Sequence, residues 1–274
     1  MNHTFNISLF GSYSTAQKVG CFDNDIQHTI GNLSDKDLYL FLRDVTLDDQ
    51  ENSYVRKKAL QTFINFILLN RLKVRQGLSL LVDDWVDSGD TFLEVQRFKE
   101  LFLFFEKDEI VEEIFQEGTN SDESEISSEC LLNLGLIKMQ EAFSSKRKDE
   151  CLLLLENSLS FFQKSNQEIE NRIDANIYSQ TVSILINLLS GRSKGTSWEL
   201  KNLGNSLFKK DVYSFQPKEY HLYCGFYRAL WGLVKIKENL PSQWLDFRAG
   251  LNELLVYYAE IHNQQLKDRL SQHS

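Results

Sequence analysis

His221 and Cys224 stand three residues apart, which on a helix puts both side chains on one face. Zinc takes three or four ligands, so this pair does not make a site, and the two residues read as part of a packed helix. Asp83-Asp84-Trp85-Val86-Asp87-Ser88-Gly89-Asp90 is acidic enough to suggest a calcium loop. Trp85, however, takes a position where such a loop needs an oxygen ligand. Gly191-Arg192-Ser193-Lys194-Gly195-Thr196 has the composition of a phosphate loop without its spacing, and it follows a helical pattern rather than a strand. It reads as an interhelical linker. Neither GxxxxGK[ST] nor GxGxxG occurs, Gly191–Gly195 spells GxSxG without the preceding strand that a nucleophile elbow needs, and no metal or cofactor is expected. A triad joining distant residues stays open, because only tertiary structure assembles one.

Two groups of residues could bind rather than react. Arg56, Lys57, Lys58, Arg71, Lys73 and Arg75 surround one helical hairpin. They could line a groove for phosphates or acidic peptides. The plainer reading is a solvated helix face, with Arg71 and Lys73 complementing the helix dipole at its C-terminal end. The second group is aromatic. Tyr220, Tyr223, Phe226, Tyr227 and Trp231 crowd one helical stretch, and Trp244, Phe247, Tyr257 and Tyr258 follow on the next. Helical spacing makes most of them core; Tyr220, Tyr223, Tyr227, Trp231 and Trp244 are the candidates for an exposed patch of interface anchors.

The elements that must carry these groups are helices. Only 2 prolines and 13 glycines occur in 274 residues, and Leu, Glu, Lys and Gln are abundant. Proline breaks helix interiors and glycine weakens them, so their scarcity favours long helices. Apolar residues recur at steps of three and four, as in Val55, Ala59, Leu60, Phe63, Ile64 and Ile67. The pattern predicts helices from Ser34 through the 40s, then from the 50s to about 70, and over 74–87, 92–107 and 109–115. Six more follow over 128–143, 147–164, 167–190, 197–210, 218–239 and 242–271, with short links that imply antiparallel packing. Residues 1–33 read as an irregular or extended arm. Residues 117–127, rich in Ser, Asp and Glu, read as an acidic loop between a 34–116 unit and a 128–274 unit.

The chain has a formal net charge of −9, which disfavours non-specific binding to phosphate backbones and suits a basic partner surface. Cys21, Cys130, Cys151 and Cys224 are far apart and form no CxxC pair, which fits buried thiols rather than a disulfide framework. The polar stretch Met1–Phe10 does not read as a secretory signal, and the uncharged run Ala175–Gly191 contains too many polar residues for a membrane span. A cytoplasmic location and no membrane partner are expected.

Shifting Tyr54–Leu60 by 41 residues superimposes Arg56 on Arg97, Lys58 on Lys99 and Leu60 on Leu101; further along, Phe63 falls on Phe104 and Ile64 on Phe105. Each unit is a helix, a polar turn with acidic residues such as Asp48-Asp49, and a second helix. Over about 34–116 this resembles the HEAT and armadillo repeats. Leu131-Leu132-Asn133-Leu134-Gly135 with Leu154–Phe162 resembles a tetratricopeptide hairpin over 128–164, although the aromatic that family places after the glycine is absent. The resemblance implies an all-α solenoid of stacked antiparallel hairpins that binds a protein along a curved surface. The expected function is therefore a non-catalytic scaffold or adaptor, as a subunit of a larger complex or an immunity-type inhibitor. The alternatives are a nucleic-acid-binding repeat using the 56–75 hairpin, and an enzyme whose site the sequence hides.

Overall fold

A computed structural model describes residues 7–25, 35–73, 92, 109–170, 172–192, 196–208, 217–237, 246, 249–250 and 253. Every described element is a helix or helical turn, and no strand occurs among the described residues. The chain is all-α. A 3₁₀ turn (Ile7–Ser12) leads into α1 (Thr15–Gly20) and a π turn (Cys21–Asp25). Then come α2 (Asp35–Leu47), α3 (Ser53–Lys73), α4 (Glu109–Gly118), α5 (Ser124–Ser144) and α6 (Lys148–Glu168). The series ends with α7 (Ile173–Leu189), α8 (Thr196–Phe208) and α9 (Pro217–Lys237). Asp246, Ala249, Gly250 and Glu253 are also helical. The helix expected at 74–87 and most of those expected at 92–107 and 242–271 lie outside the described residues. So does the second unit of the 41-residue repeat, apart from Phe92 and the start of α4.

Consecutive helices pack on one another from α4 through α9, as do α2 and α3, and α2 also meets α4. Two apolar clusters result. One joins Phe10, Phe22, Leu38, Phe41, Leu42, Val55, Phe63 and Phe115 to Ile126, Cys130, Leu134 and Ile137 of α5. The other joins Leu132, Met139, Ala142 and Phe143 of the same helix to residues of α6 through α9. α5 thus shows one face to each cluster, which is why it buries thirteen of its 21 residues.

The structure corrects two readings of the sequence. The segment read as an irregular or extended N-terminal arm is helical over residues 7–12 and 15–25. Ser14 and Gln17 form a capping box there: the Gln17 amide donates to Ser14 Oγ at 3.4 Å and the Ser14 amide donates to Gln17 Oε1 at 2.9 Å. Phe10 and Phe22 then meet Phe41 of α2, Phe10 edge-on at 5.1 Å and Phe22 stacked at 6.4 Å. The second correction concerns the acidic loop at 117–127. α4 runs to Gly118 and α5 begins at Ser124, so the connection is only 119–123. Ile126 is fully buried, and Ser127 and Ser128 are buried with it because their hydroxyls find carbonyls. Ser127 Oγ donates to the Thr119 carbonyl at 3.0 Å and Ser128 Oγ to the Ser165 carbonyl at 3.0 Å. Composition marks such serines as loop formers; tertiary partners make them helical.

α7 ends in a Schellman motif. Gly191 has φ 75°, its amide donates to the Leu188 carbonyl at 3.3 Å, and the Arg192 amide donates to the Asn187 carbonyl at 3.0 Å. The glycine that opened the apparent phosphate loop therefore terminates a helix.

Candidate functional site

The candidate basic face is best built outward from Arg56. It lies in the first turn of α3, 2% exposed, and is among the largest fully buried side chains. A buried guanidinium must place its donors, and here each nitrogen does so. Nε donates to the Thr46 carbonyl at 3.0 Å and Nη1 to Asp122 Oδ1 at 2.8 Å. Nη2 donates to Asp49 Oδ1 at 3.1 Å and to Ser121 Oγ at 2.9 Å. Asp49 sits in the α2–α3 turn, and Ser121 and Asp122 in the α4–α5 turn. One side chain thus fastens two turns 65 residues or more apart in sequence. The hydrogen bond from Arg56, helped by its charge, holds the Asp122 carboxyl below the usual aspartate range.

The next two cations on α3 are committed in the same way. Lys57 Nζ lies 2.9 Å from Glu125 and 4.0 Å from Glu123, at the start of α5. Lys58 donates to Asp23 at 2.9 Å, and that bond raises the lysine's affinity for its proton. Arg56 therefore does not belong to an outward basic surface, and Lys57 and Lys58 face carboxylates of their own chain. Arg71 and Lys73 are in the last turns of α3, with side chains outside the described residues; Arg75 lies beyond them altogether.

A second polar centre was not anticipated from sequence. Ser128 of α5 and Ser165 of α6 are fully buried and exchange hydrogen bonds: Ser165 Oγ donates to the Ser128 carbonyl at 2.8 Å, while Ser128 Oγ donates to the Ser165 carbonyl. Arg172 Nη1 donates to Ser128 Oγ at 3.0 Å, and Nε donates to Asp174 Oδ1 at 2.7 Å. Nη2 reaches Asp174 Oδ2 at 2.9 Å and also donates to Glu129. Burial works against the charge of Arg172, but these carboxylates outweigh it and the guanidinium is held protonated more firmly than usual. The centre pins α5, α6 and the start of α7 together. The sequence signal for it was weak, since isolated serines and one arginine have no fixed spacing.

Two of the thiols, Cys130 and Cys151, are poor nucleophiles. Burial pushes Cys151 up to about 12, and it raises Cys130 as well. No group of three or more His, Cys, Asp or Glu residues fit to hold a metal occurs among the described residues; Asp83–Asp90 lies outside them. His221 Nδ1 is 2.6 Å from Glu253 Oε2, a partner the pairing with Cys224 did not suggest.

The aromatic candidates divide. Tyr223 is in the core, while Tyr227 and Trp231 are half-buried against it, with Lys235 Nζ 5.7 Å from the Trp231 ring centre. Tyr220 is on α9 with its side chain outside the described residues, and Trp244, Phe247, Tyr257 and Tyr258 lie outside them. No described helix is long and apolar enough to cross a membrane.

Charge is unevenly spread along the chain. Residues 109–170 hold fourteen Asp and Glu against five Lys and Arg, a surplus of nine that equals the formal net charge of −9 for the whole chain. Glu113, Glu117, Glu156, Glu168 and Glu170 are exposed and make no ion pair among the described residues. Set against protein-family models, curated proteins and solved structures, the chain matches none of them.

Proposed function

We propose that this chain is a non-catalytic protein-interaction scaffold whose partner presents a cationic surface. The observation that carries the reading is the division of charge: the described cations of α3 are tied to carboxylates of their own chain, while Glu113, Glu117, Glu156, Glu168 and Glu170 are exposed and make no ion pair among the described residues. An uncompensated field of one sign speeds encounter with the opposite sign and rejects like-charged surfaces. The same division weighs against the nucleic-acid reading, because Arg56, Lys57 and Lys58 have no spare charge to offer a phosphate. Helix-after-helix packing from α4 to α9 supports a solenoid-like stacking of hairpins, and a cytoplasmic setting fits the four buried thiols.

The test is capture of partners by the tagged full chain, compared with a variant carrying Glu113→Lys, Glu117→Lys, Glu168→Lys and Glu170→Lys. Affinity for the purified protein partner is then measured at two ionic strengths. A basic partner bound by the native chain, weakened by salt and lost in the variant at unchanged melting temperature, supports the proposal. Equal binding by both forms, or co-purification of nucleic acid alone, overturns it.

A further inference from the structure

We infer that residues 7–25 form a strap that opens as a unit while the helices beneath it stay folded. Regions that open locally are those with few buried apolar side chains and short, weakly supported helices. α1 has six residues and buries none of them, whereas α5 buries thirteen of 21. A helix so short does not hold itself together in water, so its order comes from its attachments. Those are few. Phe10, Cys21 and Phe22 are buried, and Ile7, Tyr13 and Val19 are partly so. Phe10 also lies under the Lys18 ammonium, 5.3 Å from its ring centre.

Two ion pairs add to this grip. Lys18 pairs with Glu51 in the α2–α3 turn, and Asp23 pairs with Lys58 of α3 at 2.9 Å. The Lys58–Asp23 pair is open to solvent and is screened by salt. Release of the strap leaves the rest of the charge network in place, because Arg56 and Lys57 point to α4–α5 instead. It uncovers the Phe41 ring that Phe10 and Phe22 cover, and it brings the Cys21 thiol into water. The chain thus carries an internal apolar surface closed by a salt-sensitive cover.

Cys21 reports on this directly. The full chain is treated with a thiol-alkylating reagent, and modification of each cysteine is followed by peptide mass spectrometry. Cys21 is expected to react at least about tenfold faster than Cys130 and Cys151, both fully buried between helices. Raising the salt concentration, or Lys58→Glu, is expected to speed Cys21 about two- to fivefold and leave the other two unchanged. Phe22→Ala is expected to speed it about a hundredfold. The exchanged pair Asp23→Lys with Lys58→Asp returns the Cys21 rate to that of the native chain, which separates loss of the ion pair from general damage. Cys21 reacting in step with Cys130 and Cys151 overturns the proposal. So does a Cys21 rate indifferent to salt, or an exchanged pair that fails to restore it.

Discussion

At the scale of the residue, Arg56 carries the most consequence. Its four acceptors lie in directions that a planar fork can reach and a single ammonium cannot. Arg56→Lys is therefore expected to cost about 2 kcal/mol in urea unfolding, because the Thr46 carbonyl and the α4–α5 turn lose donors. The contribution of Asp122 has a definite pH window. Its carboxyl is lowered in the folded chain, so the stability it adds is present above its unfolded value of about 3.9 and is lost as pH falls through the lower folded value. Asp122→Asn should accordingly be less stable than the native chain at neutral pH, with the difference shrinking as pH falls below about 3.9. Thr181 makes the opposite case. Its hydroxyl is buried in α7 with no hydrogen-bond partner among the described residues. Thr181→Val removes that orphan while keeping the shape, and thermal unfolding should show a change of no more than about 1 kcal/mol, toward greater stability. The sequence displayed Arg56 as a cation in a basic run; nothing in its neighbours along the chain showed that Asp49 and Asp122 would converge on it and allow its burial.

At the scale of the element, α5 decides the organisation. Its Leu134 and Ile137 face the cluster built from α2, α3 and α4, and its Met139, Ala142 and Phe143 face the one built from α6 to α9. Two closely packed faces demand small residues where neighbours approach. A methyl group added at Gly135 would lie 2.5 Å from the Phe162 ring, which itself stacks on Tyr178. Gly135→Ala is expected to cost about 1–3 kcal/mol through overpacking, and Phe162→Leu in the same chain should recover part of it. The extents of α2, α3, α6 and α9 follow the apolar spacing of the sequence to within a few residues. The N-terminal boundary of α5 does not, because Ser124 to Ser128 become helical through hydrogen bonds to Thr119 and Ser165 that lie outside the local pattern.

At the scale of the molecule, a shared helix changes what the two clusters can do. A loop at 117–127 would have let two units unfold independently. With α5 common to both, Leu134→Ala and Phe143→Ala should each lower a single thermal transition, by about 2–5 kcal/mol, whether followed by circular dichroism or by tryptophan fluorescence. Two separated transitions, each answering to only one substitution, would return the molecule to two units. The acidic surplus of 109–170 belongs to this scale as well, since it acts through the summed field and not through one residue.

The sequence by itself determined the helical class, the positions of most helices and the net charge. Periodicity and proline content act locally, and charge is additive, so neither needs the fold. Only the tertiary structure decided which polar groups are spent inside. Arg56 with Asp49 and Asp122, Ser128 with Ser165, and Arg172 with Glu129 each join residues from different elements. Burial of a charged or hydroxyl group is tolerable only when its partners arrive from elsewhere in the chain, and that convergence is a property of packing.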